Sequence, residues 1–422
     1  MEIKLDPLAP NKEAGSETRE FAPQKANKAP AGNTEKKNPS ESAAQEAASA
    51  PPAAEKPAEA IAEKEQKSPA AQKEPAKKSD PAPQKEEDDD AEPKHPPKKK
   101  HRAAILIPVI ILALLAGAFL VATHNWSEEI VTYETTNTYI TPYGQTMVSA
   151  HRSGGGIFPE NTLMAFEGCL SSKDFKTDIF EFDLHITKDG ELILLHDDTL
   201  DRTTNSEAVF GVTGARPENY TLAQLKQLNF GEGFVDDNGN TPYKGLSGSA
   251  VPASLHAVTL NEVLDLLEGH GGYRYIIEIK NKKELGFAAA DALYTILSTK
   301  KLLPKVIVGT FNGEITRYID DCYPDMLRSA SITEVLEFYI SSLLNMHTAP
   351  GYYKYTALQI PANQFLIKLG TSKLTNYAHK NNIAVQYWTI NEADDIAMLK
   401  EINADCVMSD VPDVAYGILN GK

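Results

Sequence analysis

From about residue 146 onward, short β-rich runs alternate with amphipathic stretches, and this alternation restricts the fold more than any other property of the chain. The strand candidates are TMVSAH, IFEFDLHI, ELILLH, YRYIIEIK, KVIVGTF, MLRSASI, YTALQIP, AVQYWTI and DCVMS. Between most of them lie helical patterns such as NTLMAFEGCLSS, TLNEVLDLLEGH and LGFAAADALYTILST. Strands that alternate with helices build a parallel sheet. ELILLH follows its predecessor through a turn too short for a crossover, so it is an antiparallel hairpin partner outside the parallel count. Eight strands remain in about 280 residues, the size of an α/β protein of the (β/α)8 TIM-barrel type. An open doubly wound sheet is the alternative, but no G-x-G-x-x-G follows a strand here.

Within that frame, EFDLHITKDGELILLHDD, residues 181–198, carries the chemistry. Glu181 and Asp183 are two apart on a strand and therefore point to one face. With Asp189 and Gly190 as the central residues of a tight turn, paired positions sum to 379 and Asp183 lies opposite His196. Function in a barrel gathers where strands end at the C-terminal face. There the sequence places His151 and Arg152 after the first strand, Glu181 and Asp183 on the second, Glu278 and Lys280 at the end of the next parallel strand, and Trp388 on the seventh. Buried carboxylates on neighbouring strands repel one another in a low dielectric and are tolerable when a hard divalent cation neutralises them.

Upstream, residues 103–122 read AAILIPVIILALLAGAFLVA, without a charge, and match the roughly 20 residues needed to cross a bilayer. PKHPPKKKHR precedes this run; Trp126 and acids follow it. The positive-inside rule then predicts a single-pass transmembrane helix in the cell membrane, with the N-terminus cytoplasmic and the barrel outside. Residues 1–102 are dominated by Ala, Pro, Lys, Glu, Gln and Ser and are expected to be a disordered tail. Residues 123–145 read as a linker and 146–422 as the barrel domain. Of 42 Lys+Arg and 58 Asp+Glu in the chain, 19 and 20 fall before residue 103, leaving 23 against 38 in the remainder. That acidic balance argues against nucleic acid as a partner. The three cysteines, Cys169, Cys322 and Cys406, show no metal-ligand spacing, and Cys169 and Cys406 sit in apolar contexts expected to bury them as free thiols.

Several stretches together resemble the glycerophosphodiester phosphodiesterase family: AHRSGGGIFPENTLMAF at 150–166, EFDLHITKDGELILLHDDTLDRTTN at 181–205, YIIEIKN at 275–281, and YWTINEADD with NADCVMSDVP near the end. TLAQLKQLNFGEGF is similar to the family's insert region. The resemblance spans nearly all of residues 146–417. It implies a TIM barrel with a small insertion after the second strand, and hydrolysis of glycerophosphodiesters to sn-glycerol 3-phosphate and an alcohol. It implies His151 and His196 as general acid and base, Glu181, Asp183 and Glu278 as holders of one Ca²⁺ or Mg²⁺, and Arg152 and Lys280 as the grip on phosphate. The usual His-Arg-Gly of the family is His-Arg-Ser here, which leaves the shape of that loop open at Ser153. Lysophospholipids and glycerophosphate polymers such as teichoic acid are alternative substrates, and a surface binding module without catalysis is the rival of another class.

Other residues carry two readings. His185 shares the face of Glu181 and Asp183, but the family commonly varies there. Asp197 and Asp198 stand beside His196 as orienting partners or as a solvated loop pair. Asn161 suits the N-cap of the first helix, and Glu160 and Asn161 suit the shaping of the site equally well. Trp388 and Phe311 suit the wall of a leaving-group pocket, whereas strand alternation sends Tyr387 into the core. The NGN turn at 238–240 reads as a surface loop, since its carboxylate spacing fits no EF-hand.

Overall fold

A computed structural model describes residues 100–364 and 367–421, with side chains given from residue 107 onward except at 122 and 123. The expected disordered tail lies, up to residue 99, outside the described residues. The uncharged run forms helix α1 (Lys100–Thr123) with Pro108 inside it. The part whose side chains are described, residues 107–121, is shorter than the roughly 20 residues of a span. Among the described residues no helix is long and apolar enough to cross a membrane.

Irregular chain from 124 onward leads to β1 (Met147–Ala150) and α2 (Leu163–Ser171). The hairpin follows, β2 (Ile179–Ile186) and β3 (Leu192–Leu194). The insertion after it holds short helices α3 (Ser206–Phe210) and α4 (Leu222–Leu225). Then come α5 (Leu260–Gly269), β4 (Arg274–Ile279), α6 (Lys283–Lys300), β5 (Val306–Gly309), α7 (Gly313–Cys322), α8 (Ile332–Leu343) and β6 (Ala357–Ile360). A small hairpin, β7 (Asn363–Gln364) and β8 (Ile367–Lys368), precedes α9 (Ser372–Lys380), β9 (Ala384–Tyr387), α10 (Ala393–Glu401), β10 (Cys406–Ser409) and α11 (Pro412–Leu419).

The main strands pair in the order β5-β4-β2-β1-β10-β9-β6, all parallel, with β3 antiparallel to β2 as the short turn required. MLRSASI contributes two bridges rather than a full strand, Val308 to Arg328 and Ser329 to Ala357. Those bridges join β5 to β6 and nearly close the TIM-barrel-like sheet. Beside those bridges the Arg328 guanidinium is held by Asp320 and Glu334.

The hairpin register differs from the one expected. Leu184 pairs with Leu194 and Ile186 with Leu192, so positions sum to 378 rather than 379. The loop is three residues, Lys188-Asp189-Gly190, and Gly190 takes the left-handed conformation such loops use, with φ of 86°. Asp183 therefore faces Leu195, whose N–H donates to its carbonyl at 3.1 Å, and His196 falls one residue further on.

Helix starts follow their capping residues. Thr259 and Glu262 form a capping box at α5, which buries Leu260, Val263, Leu264 and Leu267 against the sheet. At α2 the N-cap is Thr162, whose hydroxyl accepts from the Ala165 N–H, and not Asn161. Asn161 is diverted because its φ of 56° turns its amide toward the barrel mouth. Inside the barrel, Met147, Ile179, Ile276, Ile307, Ala357, Ala384 and Cys406 form an apolar lower layer with Tyr139. Residues 126–131 run along α9, where Lys373 N donates to Trp126 O at 3.3 Å, Glu128 N to Ser372 Oγ at 2.7 Å and Val131 N to Asn376 Oδ1 at 3.0 Å; Asn137 Nδ2 then donates to Thr356 O at 2.8 Å, just before β6.

Candidate active site

Two residues along the same strands, the apolar layer gives way to acids. Asp183 is the register partner of Glu278 on the neighbouring strand, and Glu181 sits two residues below Asp183. One oxygen from each of Glu181, Asp183 and Glu278 lies within 4.8 Å of the others. Burial first, and the Asp183 charge next, push Glu181 up to about 8. Burial likewise raises Glu278. It acts on Asp183 too, but the charges of Lys280, His196 and Arg152 outweigh it and hold that carboxyl below its ordinary range. The Lys280 ammonium stands 3.3 Å from Asp183 Oδ1 and 3.0 Å from Glu278 Oε1. The positive charges present suffice for Asp183 but not for Glu181 and Glu278, whose raised pKa values record the shortfall. Asp183 Oδ1 is buried with no hydrogen-bond partner. An all-oxygen, anionic and under-neutralised set fits a hard divalent cation.

Each predicted histidine has a carboxylate behind it. His151 opens a 3-10 turn directly after β1, and its Nδ1 lies 2.7 Å from Asp410 Oδ1. Asp410 is fixed in turn by Asn391, which donates from Nδ2 at 2.9 Å and accepts the Asp410 N–H at 2.9 Å. His196 Nδ1 lies 2.7 Å from Asp197 Oδ1, and Arg202 grips Asp197 through Nε at 2.7 Å. A carboxylate at Nδ1 selects the Nδ1–H tautomer and leaves Nε2 as the working nitrogen. The two rings sit in different fields. Burial draws His151 down, yet Glu181 and Asp410 more than reverse it and its pKa is raised. At His196 burial prevails over the nearby Asp183, and the pKa is lowered.

Both histidines, with Arg152, Glu181, Glu278 and Lys280, line a cavity of about 360 Å³ at the mouth. The 3-10 turn puts Arg152 at φ 49° and Ser153 at φ 64°, and aims the Arg152 N–H at Glu181 Oε2, 2.7 Å away. Ser153 is buried, so its side chain fits the close approach that sequence left open. The Arg152 guanidinium rests 3.4 Å from Glu160, while its Nε is buried and without a hydrogen-bond partner. Trp388 and Phe311 line the same cavity and meet edge to face at 5.7 Å between centroids. Tyr387 is fully buried on the opposite side of its strand and donates to Leu369 O at 3.0 Å.

The remaining candidates divide. Asp197 orients His196, whereas Asp198 faces Arg216 and Lys282 at 3.8 and 3.5 Å. Glu160 shapes the site by holding Arg202 at 2.7 and 2.8 Å, and Asn161 donates to Asp183 Oδ2 at 3.0 Å. His185 is fully buried, neither ring nitrogen has a partner, and burial lowers its pKa to about 4. It is outside the cavity lining. Sequence reasoning assigned no role to Asp410, Asn391 or Arg202. All three lie inside stretches singled out for their resemblance, YWTINEADD, NADCVMSDVP and DRTTN, and that membership was the available signal.

A parallel barrel whose mouth gathers acids, bases and two carboxylate-held imidazoles has the layout of a hydrolytic enzyme. Residues 151–414 match the glycerophosphoryl diester phosphodiesterase family. The chain belongs to that family, and it is by that membership a phosphoric diester hydrolase. It is 25% identical over 276 residues to a glycerophosphodiester phosphodiesterase of Caldanaerobacter subterraneus, covering 65% of this chain and 98% of the relative. To the glycerophosphodiester phosphodiesterase of Bacillus subtilis it is 27% identical over 286 residues, covering 64% and 86%. Among solved structures, the glycerophosphoryl diester phosphodiesterase domain of a Mycobacterium tuberculosis protein superposes with a TM-score of 0.50 at 19% identity, over 64% of this chain and 98% of that domain. A Silicibacter pomeroyi protein bearing the same family's name superposes with a TM-score of 0.52 at 19% identity, over 72% and 97%. Both show the likeness of fold.

Proposed function

We propose that this chain hydrolyses glycerophosphodiesters to sn-glycerol 3-phosphate and an alcohol, by two-histidine acid/base catalysis beside one divalent cation, Ca²⁺ or Mg²⁺. The observation that carries this reading is the meeting of three acidic oxygens within 4.8 Å and two imidazoles on one cavity. Glu181, Asp183 and Glu278 would hold the cation. When bound, it supplies a fixed positive charge for a non-bridging phosphate oxygen.

Lys280 and Arg152 serve the same phosphate. The Lys280 ammonium already stands at the rim of the acidic cluster, and the buried Arg152 Nε is a donor in want of an acceptor. Both would strengthen their hold as charge grows on the phosphoryl oxygens. One imidazole Nε2 takes the proton of the attacking hydroxyl and the other delivers a proton to the departing alkoxide. Asp410 and Asp197 keep each ring in the tautomer and orientation that this exchange needs. Trp388 and Phe311 shield the leaving-group side from water. The test is turnover of a panel of glycerophosphodiesters by the full chain, with and without a chelator. Release of sn-glycerol 3-phosphate that stops on chelation supports the reading, and absence of turnover with either ion added refutes it in favour of a binding module.

We also infer that α1 anchors the chain in the cell membrane with the barrel outside. The uncharged run and the basic residues before it support this. Protease added outside sealed cells should remove the barrel; protection of the barrel would contradict that topology.

A further inference from the structure

Thr123 ends α1, and by Trp126 the chain is already held to the barrel. Lys373 N donates to Trp126 O at 3.3 Å, the Lys373 ammonium lies 5.7 Å from the centre of the Trp126 ring, and Glu128 N donates to Ser372 Oγ at 2.7 Å. Ser372 and Lys373 open α9. Three residues span at most about 10 Å fully extended, so the end of α1 is leashed within that distance of the first turn of α9. In a parallel barrel that turn belongs to the catalytic face, and Gln364 and Leu369 just before it line the catalytic cavity. With α1 in a bilayer, the mouth therefore stands at the lipid surface.

The rim of that mouth has two unlike sides. Phe311, after β5, and Ile332 and Leu336, in the first two turns of α8, are 55%, 62% and 55% exposed. Their segments neighbour β6 in the barrel order, and the loop after β6 carries the β7–β8 hairpin, whose β8 lies next to α1. Helix α8 packs inward through Phe338 and Tyr339, so folding does not require Ile332 and Leu336 to be apolar. Across the mouth, β2 and β3 lead into the insertion, where Arg202, Arg216 and Asp198 are charged, part-exposed and paired. Single exposed apolar residues are ordinary; three on one half of a rim, beside the end of an apolar helix, mark contact with an apolar phase.

We propose that the barrel docks on the outer surface of the bilayer through Phe311, Ile332 and Leu336, with the charged, insertion-bearing side of the rim turned to water. This rests on the anchoring reading above and adds to it a docking face and an orientation. Residues 103–422 carry 23 Lys+Arg against 38 Asp+Glu, so attraction to anionic lipid does not drive the docking. Insertion of the three apolar side chains to the headgroup boundary does, and the short leash keeps them at high effective concentration there.

The test puts a fluorescent label on Leu336→Cys in the full chain, with Cys322→Ser removing the exposed native thiol, in phosphatidylcholine vesicles that contain a nitroxide-bearing lipid as quencher. A second chain carries the label on Val235→Cys, an exposed position of the insertion. The expected result is loss of most of the emission at position 336 and little loss at 235. Adding Ile332→Asp should restore the emission at 336 while the chain still floats with the vesicles. Equal quenching at the two positions, or none at 336, in chains that float overturns the docking and leaves the anchor standing. So does energy transfer between labels at 336 without lipid quenching, which would show a second copy on this face. A chain that fails to float with the vesicles removes the anchor, and the docking with it.

Discussion

The lower and upper halves of the barrel interior are built from the same strands and obey opposite rules. Ile179 and Ile276 belong to the apolar layer below; two and four residues further along those strands stand Glu181, Asp183, Glu278 and Lys280. The lower layer gains by excluding water. The upper layer gathers buried acids whose mutual repulsion the Lys280 ammonium only partly offsets, so it costs the folded state something and is poised to accept positive charge. The contrast separates stability from function along a single strand, and it can be broken by mutating one half at a time.

The largest effect is expected from the upper half. His196→Ala should lower turnover at least about a hundredfold, the usual size of an acid/base contribution, and leave the thermal transition in place. Near-full activity would remove His196 from the chemistry. Next, Ile179→Ala in the lower half should destabilise the fold by about 2–5 kcal/mol in denaturant unfolding, with activity per folded molecule retained. An activity loss larger than the unfolded fraction explains would show that the halves are not separable. Loss of the carboxylate behind a histidine should be milder: Asp410→Asn is expected to reduce turnover about ten- to a hundredfold without weakening cation binding. Thiol labelling gives the smallest effect and sharpens the picture of the core. Burial pushes Cys169 up to about 12 and raises Cys406 well above a free thiol, and Cys322 is exposed. One thiol per native chain should react promptly, and all three after unfolding.

How much of this the sequence disclosed depended on distance along the chain. The acidic triad was legible because strand alternation fixes Glu181 and Asp183 on one face, and the barrel order brings Glu278 alongside. Asp410 was not, since it meets His151 across 259 positions. The hairpin register was missed by one because a three-residue and a two-residue loop share the same Asp-Gly signal, and only the backbone tells them apart. His196 still reaches the cavity because it lies beyond β3, where the Asp197–Arg202 pair rather than the pleat sets its direction. The strand around Arg328 looked regular in sequence, yet it is reduced to two bridges, Val308 to Arg328 and Ser329 to Ala357.

The central claim, that three carboxylates share one divalent cation, is tested most directly by calorimetric titration of Ca²⁺ or Mg²⁺ into the metal-depleted full chain at several pH values. With no cation bound, burial first and the Asp183 charge next raise Glu181 from its ordinary value to about 8. The cation favours the deprotonated carboxyls, so affinity should strengthen as pH rises toward 8, with protons released on binding below that point. The account predicts one saturable site per chain with this slope, abolished by Asp183→Asn. Absence of saturable binding, or binding that survives Asp183→Asn unchanged, would contradict it.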